Sequence, residues 1–308
     1  MVDILMAVYN GERYLKEQLD SIFSQTYQDW RLLIRDDAST DNTKQILFEY
    51  RDKYPNKIEL FFNNENQKAP QKVFFKLIQD SSAEYIATCD HDDVWLPDKL
   101  ELTLGKMKEL EEKWGTDFPL LVHTDLKVVD EKLNVISPSM LKSQKLNPNA
   151  QSMRDFMVQN HVTGCTMMIN RQLANIVKRL PDEALMHDWW FALVASAFGV
   201  IGFVDKPTIL YRQHGGNQVG AKSVSQMSFL AKRIADKTAT KLAMDKTYLQ
   251  AAAFLNEYEK ELSPRQRDML LKYANIPKQN KFGRLWTLCS QNYFKYGFVR
   301  KVGQFLYI

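Results

Sequence analysis

The feature that most constrains the fold is a regular alternation of two hydrophobic patterns over the first 114 residues. Short apolar, β-branched runs alternate with segments whose apolar residues recur at helical spacing. The runs span residues 2–8, 30–37, 57–62 and 84–90, and the helical segments span 11–25, 39–54, 70–81 and 96–114. Such alternation predicts right-handed βαβ units and an α/β fold, with a Rossmann-like, mainly parallel central sheet covered by helices on both faces.

The pattern changes after about residue 118. A strand and hairpin are predicted over 119–136, a loop over 137–152, a strand leading into a helix over 164–173, a helix over 187–198, and two short strands around Pro207. From residue 223 onward the chain reads as helical, with breaks at Pro264 and Pro277. We therefore predict a domain over 1–219 and a helical extension over 220–308.

Charge distribution, cysteine content and the motifs present limit the classes of protein to which the chain can belong. Residues 220–308 hold 16 basic and 6 acidic side chains, whereas the rest of the chain holds 25 and 31. No apolar run is long enough to span a bilayer, and we interpret the N-terminus as a buried strand rather than a signal peptide. Three widely spaced cysteines fit a reducing cytoplasm. A zinc-binding histidine spacing, a glycine-rich dinucleotide motif and a P-loop are all missing, which disfavours those enzymes.

Acidic side chains follow two of the predicted strands where each strand ends. Asp36 and Asp37 end the second, and Asp90, Asp92 and Asp93 lie in "CDHDDVW" after the fourth. A lone Asp-Asp pair can cap a turn or a helix, but three carboxylates in four positions exceed what capping needs. Like charges this close require compensation, and oxygen ligands favour Mg²⁺ or Mn²⁺, which commonly share phosphate oxygens with a substrate. The pattern therefore indicates a site for a divalent cation and a diphosphate.

An ordered set of motifs resembles one known family. "MAVYNGERYLKEQLDSIFSQTY", "IRDDASTDNT", "CDHDDVW", "GCTMMINRQL", "HDWW" and "YRQHGGN" together span roughly residues 2–217. They look like family 2 glycosyltransferases of the GT-A fold, and most like bacterial rhamnosyltransferases of polysaccharide assembly. The resemblance implies an inverting, metal-dependent transfer from a nucleotide-diphosphate sugar.

For donor binding, the resemblance implies roles at matching positions. Asp36 or Asp37 would bond the base of the nucleotide, and Asp92 would be the main metal ligand, with Asp90 beside it. His214 would complete the metal or diphosphate site, and Arg212 could pair with phosphate. The nucleotide pocket would be lined by Ala7, Val8, Tyr9 and Asn10.

For the reaction itself, Asp188 matches the position of the catalytic base. Asp93 would touch the sugar or orient a ligand, and Trp189 could stack on a sugar face, although core packing is an equal alternative for this tryptophan. His187 precedes the base where many relatives carry Glu, and His91 replaces a small residue or Gln. We assign His187 to the donor or acceptor sugar and leave any role in supporting the base open; His91 is the position that the pattern explains least.

The C-terminal segment interleaves large apolar residues with lysines and arginines. A basic amphipathic helix of this kind can lie in an anionic membrane interface. The alternative is that its apolar face packs on the catalytic domain or on a second subunit, so a homo-oligomer stays open. Nucleic acid is disfavoured, because no reading motif is present. The family resemblance favours a cytoplasmic enzyme, peripheral on the inner face of the membrane.

We therefore favour a glycosyltransferase moving L-rhamnose from dTDP-rhamnose to a saccharide or lipid-linked acceptor, with Mn²⁺ or Mg²⁺. The sugar assignment rests on the resemblance alone. A UDP-hexose or UDP-N-acetylhexosamine donor is the alternative within the class. A phosphotransfer domain or a non-catalytic Mg²⁺-binding scaffold is the alternative outside it.

Overall fold

A computed structural model describes residues 1–215 and 237–308 of the chain. The helix predicted from residue 223 therefore lies partly outside the described residues, as do the boundary at 219/220 and the last two residues of "YRQHGGN". Within the described ranges one nine-stranded sheet forms the centre of the molecule. Its strands are β1 (Val2–Val8), β2 (Trp30–Asp36), β3 (Ile58–Phe62), β4 (Tyr85–Asp90), β5 (Val94–Trp95), β6 (Leu120–Val129), β7 (Val135–Ser137), β8 (Met168–Asn170) and β9 (Val200–Arg212).

The strand order is β3-β2-β1-β4-β8-β6-β9-β5, and β7 pairs with β6. Strands β1 to β4 are mutually parallel, as are β6 and β9, whereas β5, β7 and β8 run antiparallel to their neighbours. The predicted α/β class is confirmed. Val8 of β1 lies beside Asp36 of β2, and Ala7 lies beside Asp90 of β4. This register brings both acidic clusters to one edge of the sheet.

The helices of the sheet region are α1 (Leu15–Phe23), α2 (Thr43–Lys53), α3 (Pro70–Asp80), α4 (Lys99–Trp114), α5 (Met140–Ser143), α6 (Met153–Val158), α7 (Arg171–Ile176) and α8 (His187–Phe198). The C-terminal helices are α9 (Lys237–Tyr258), α10 (Pro264–Ala274), α11 (Lys281–Ser290) and α12 (Phe298–Tyr307). Short 3₁₀ turns occupy Gly164–Thr166 and Ile276–Lys278. None of these helices, over the two described ranges, combines the length and apolarity needed to cross a bilayer.

The core lies on both faces of the sheet because successive strand residues point to opposite sides. On β1, Ile4 and Met6 pack with α1, α2 and α4, whereas Leu5 packs with α3 and α8. The C-terminal helices extend the second layer: the rings of Trp190 in α8 and Phe254 in α9 lie 5.4 Å apart. The extension and the sheet region thus share one hydrophobic cluster.

Two sequence predictions need correction. The segment 137–152 is not all loop, because Ser139 caps α5 by accepting a hydrogen bond from the Lys142 amide. Residues 200–212 form one strand rather than two. The register of β9 against β6 shifts at Asp125, which faces Pro207. The missing proline N–H therefore falls where the ladder is already irregular, and the strand continues.

Candidate active site

A cavity of about 660 Å³ opens beyond the carboxyl ends of β1, β2 and β4. This is where ligands bind in open α/β sheets. Of the residues predicted for the site, the cavity is lined by Ala7, Val8, Tyr9, Asn10, Asp37, Asp90, Asp92, His187, Asp188, Trp189 and His214. Asp36, Asp93 and Arg212 are buried and do not line it. The fold therefore gathers most of the predicted residues around one space and places three behind its wall.

One end of the cavity is formed by the turn after β1 and by Asp37. Asn10 has a positive φ of 48°, its amide donates to Ser39 Oγ at 2.9 Å, and its Oδ1 accepts from the Thr40 amide at 2.9 Å. The Asp37 carboxylate accepts from Asn63 Nδ2 at 2.6 Å and from the Gln67 amide at 3.0 Å. These bonds hold a carboxylate and an open backbone turn side by side.

Asp90, Asp92 and His214 form a second polar group on the wall. His214 Nε2 lies 2.8 Å from Asp92 Oδ2, and the His214 ring packs against Tyr14 with 4.9 Å between centroids. Burial, with the nearby charges of Asp92 and Asp188, raises the pKa of Asp90 to about 7. A cation at this wall would relieve that repulsion.

Asp93 and Cys165 lie behind Asp90. Ligand atoms of all three fall within 4.8 Å of one another. Burial, followed by the charges of Asp92 and Asp90, raises the pKa of Asp93 well above its usual range, and burial likewise raises the pKa of the Cys165 thiol. The thiol shares a hydrogen bond with Asp93. A protonated thiol is a poor ligand for a hard cation, so this trio fits a buried hydrogen-bonded support better than a metal site.

Arg212 braces the acidic loop from behind. Its Nε donates to the Asp92 carbonyl oxygen at 2.9 Å, its Nη1 donates to the Glu131 carbonyl oxygen at 2.6 Å, and Nη2 pairs with the Glu17 carboxylate. Its amide donates to Asp93 Oδ1 at 3.2 Å. With 2% of its surface exposed, this side chain positions the loop.

Asp188 lines the same cavity from the first turn of α8. Its Oδ1 accepts from the Trp189 amide at 2.7 Å, and further hydrogen bonds come from Asn160 and the Gly164 amide. Burial outweighs these bonds and raises the pKa of Asp188 to about 6. A carboxyl group with this pKa is mostly ionised at neutral pH yet can still take up a proton, which suits a general base.

His187 lines the cavity beside Asp188. Its ring stacks on Phe74 with 4.3 Å between centroids, and a Cβ at Gly164 would meet its Nε2 at 3.1 Å. Burial lowers the pKa of His187 to about 3, so the ring is neutral. Neither ring nitrogen has a hydrogen-bond partner among the described residues. Trp189 is held by its indole N–H, which donates to the Phe156 carbonyl oxygen at 2.5 Å.

Sequence reasoning missed several residues of the cavity wall. Asn160 bonds Asp188, Lys68 adds a cation, and Phe74 supplies the ring beneath His187. Lys68 follows an asparagine-rich stretch, which is a turn signal that the sequence offers. The backbone of Lys68 has a positive φ of 52°, in keeping with a turn. His91 also lines the wall and packs on Gly11, where a Cβ would approach its Cδ2 to 2.8 Å. The small residue at 11 thus makes room for the histidine.

Comparisons with known proteins identify the family. A family model described as "Glycosyl transferase family 2" matches residues 3–116. The dTDP-rhamnosyl transferase RfbG of Shigella flexneri is 31% identical over 238 residues, which cover 74% of this chain and 76% of that relative.

Two solved structures are similar in fold. TarS 1–349 of S. aureus in complex with UDP-GlcNAc has a TM-score of 0.60 at 17% identity, covering 94% of this chain and 80% of that one. The mannosyltransferase PcManGT of Pyrobaculum calidifontis, in complex with GDP-Man and Mn²⁺, has a TM-score of 0.53 at 15% identity, covering 94% and 73%. These two likenesses support the predicted GT-A fold.

Proposed function

Because the chain belongs to family 2 of the glycosyltransferases, we propose that it transfers L-rhamnose from dTDP-rhamnose to a saccharide acceptor in polysaccharide biosynthesis. The observation that carries the proposal is the single cavity in which Asp37, the Asp92–His214 pair and Asp188 face the same space. We assign Asp37 to the nucleotide, the Asp92–His214 pair to the cation and diphosphate, and Asp188 to the acceptor hydroxyl. The 31% identity to a dTDP-rhamnosyl transferase supports the choice of sugar.

In the nucleotide end, we assign the base contact to Asp37 rather than to the buried Asp36. Asp37 is fixed by Asn63 and the Gln67 amide, and it keeps access to the cavity. A carboxylate there can accept the imide N–H of a pyrimidine base. Thymine and uracil both present that N–H, so this contact alone admits dTDP and UDP donors. UDP-hexoses and UDP-N-acetylhexosamines therefore stay as alternative donors.

The residues present fit a divalent cation. Asp90 and Asp92 offer carboxylate oxygens, His214 offers a ring nitrogen, and all three line the cavity. This oxygen-rich donor set suits Mn²⁺ or Mg²⁺. Burial, followed by the charges of Asp92 and Asp188, raises the pKa of Asp90, and a bound cation would favour the ionised form of this carboxylate. When bound, such an ion supplies Lewis-acid stabilisation of the departing nucleoside diphosphate.

For the chemical step, we propose that Asp188 accepts the proton of the attacking acceptor hydroxyl. Asn160, the Gly164 amide and the Trp189 amide fix the carboxylate. Removing the proton as the oxygen attacks is worth about 10²–10⁴-fold in rate. The proposed base and the proposed leaving-group site line one cavity, and single displacement with inversion needs both within reach of the same anomeric carbon. His187 and Trp189 would contact the sugars.

The donor is tested by incubating the protein with dTDP-rhamnose, UDP-glucose, UDP-galactose and UDP-GlcNAc, each with Mn²⁺, Mg²⁺ or EDTA. We expect dTDP-rhamnose with a cation to raise the melting temperature most and to be slowly hydrolysed. Asp188→Asn should keep the thermal shift and lose hydrolysis. A larger response to a UDP sugar would reassign the donor. Absence of any response would favour a non-catalytic scaffold or a phosphotransfer domain.

We also propose that the enzyme works in the cytoplasm, at the inner face of the membrane, with residues 220–308 as a helical extension of the catalytic domain of residues 1–219. The basic composition of the extension supports this placement.

A further inference from the structure

The last forty residues carry an unusually one-sided charge. From residue 269 to residue 308 there are seven lysines and arginines and no aspartate or glutamate. This stretch includes α11 and α12. Exposed lysines in it include Lys278, Lys281 and Lys301. Such a segment attracts an anionic surface without needing a specific partner.

The same two helices expose large aromatic side chains. Phe282, Trp286 and Phe298 are 86%, 75% and 80% exposed, the highest values among the exposed large hydrophobic residues of the described chain. Phe282 and Trp286 are spaced i, i+4 on α11, and α12 adds Phe305 and Leu306. Each of the two helices thus carries exposed apolar side chains and an exposed lysine, the combination expected of an interaction site. We call the set Phe282, Trp286, Phe298, Phe305, Leu306, Lys278, Lys281 and Lys301 the aromatic-basic surface.

One of the two helices that carry this surface, α12, is anchored to the wall of the cavity. Arg300 of α12 donates to the Gln144 carbonyl oxygen at 2.7 Å and to the Lys145 carbonyl oxygen at 3.0 Å. The Tyr296 amide donates to Gln159 Oε1 at 3.0 Å. Gln144 lines the cavity, and Gln159 precedes Asn160, which bonds Asp188. Helix α12 and the turn before it are therefore attached to segments that form the cavity wall near the proposed base.

We propose that the aromatic-basic surface docks on an anionic lipid bilayer. The aromatic rings suit the interfacial layer, where an apolar body and a polar rim are both accommodated. The lysines suit anionic headgroups. A second copy of this chain is a poor occupant, because a two-fold contact would set the same cationic surface against itself. Docking stands independently of the proposed chemistry.

Docking is tested by co-sedimentation of the full chain with vesicles of phosphatidylcholine containing 30% or no phosphatidylglycerol. We expect binding that requires phosphatidylglycerol and weakens with salt. Phe282→Ser/Trp286→Ser should weaken binding at least about tenfold. Lys278→Gln/Lys281→Gln should weaken it by about fivefold for each charge removed. The matched control is Val135→Ser/Ile136→Ser, which removes two exposed apolar side chains from β7, 57% and 59% exposed, and should bind as the wild type does.

A second measurement guards against misfolding of the serine variant. Brominated lipids in the vesicles should quench tryptophan fluorescence in the wild type, and Trp286→Phe, which preserves an aromatic side chain, should lose most of that quenching. Equal binding to neutral vesicles, or unchanged binding of Phe282→Ser/Trp286→Ser, would overturn the proposal. The proposal would also be overturned by a second pair of results from sedimentation velocity. These are that the wild type is a dimer that does not bind vesicles, and that Phe282→Ser/Trp286→Ser is a monomer.

Discussion

The pKa of Asp188 determines how the reaction should respond to acid. Burial raises this pKa to about 6, and a general base works only while it is ionised. A carboxyl group of that pKa is about nine-tenths ionised at pH 7 and about one-tenth ionised at pH 5. We therefore expect kcat/KM to fall about tenfold between pH 7 and pH 5, with activity present above the pKa and lost below it.

This fall in kcat/KM at low pH is the acid limb of the pH–rate profile. Two variants test whether the limb is caused by Asp188. Asn160 gives Asp188 a hydrogen bond that favours the charged form. Asn160→Ala should therefore raise the pKa of Asp188 further and move the acid limb toward neutral pH. Asp188→Asn should abolish the limb and lower turnover by about 10²–10⁴-fold, while leaving the donor dissociation constant nearly unchanged.

The assay is the initial rate of nucleoside diphosphate release at constant ionic strength, measured at two saturating concentrations of Mn²⁺. The second concentration is needed because Asp90 also has a raised pKa, about 7, and lies among the proposed cation ligands. If the midpoint pH of the acid limb changes with Mn²⁺ concentration, the limb reports the cation ligands. If the midpoint does not change, the limb reports Asp188. The reasoning is refuted if Asp188→Asn keeps near-normal turnover, or if Asn160→Ala moves the limb to lower pH.

Three further predictions follow from the cavity wall. Gly164→Ala places a Cβ 3.1 Å from His187 Nε2 and should lower kcat with little change in donor affinity; Gly105→Ala on α4, where a Cβ meets nothing within 4 Å, is the control and should be neutral. Asp37→Asn should raise the donor KM about tenfold in steady-state kinetics with kcat retained, and an unchanged KM would remove Asp37 from the base contact. His214→Ala and Asp92→Asn should each raise the Mn²⁺ concentration for half-maximal rate, and a rate independent of added Mn²⁺ in the wild type would contradict the proposed cation site.

The order of strands and helices over the first 114 residues is readable from the sequence, because each element is specified by its own hydrophobic period. The same local signals place Asp36, Asp37 and the "CDHDDVW" cluster at strand ends. Parallel pairing then requires those ends to share one edge of the sheet, as the Val8–Asp36 and Ala7–Asp90 neighbours show. The class of fold and the acidic edge were therefore predictable without long-range information.

Adjacent carboxylates could not be told apart in the same way. Asp36 lies within β2 and is fully buried, whereas Asp37 has passed the end of the strand and reaches the cavity. Asp92 faces the cavity and Asp93 faces the interior. One residue of difference reverses the direction of a side chain, and the point at which a strand ends depends on its neighbours rather than on its own sequence.

Local sequence signals specify which chemical groups this protein carries and near which end of the sheet they lie. Long-range packing specifies which of those groups share a space. Asp188 and Asp92 are 96 residues apart in the chain, Arg212 reaches the Asp92 loop across 120 residues, and Arg300 reaches Lys145 across 155. Contacts at such separations are set by how packed elements meet, because no local period or propensity encodes the side chain on the other side of a cavity.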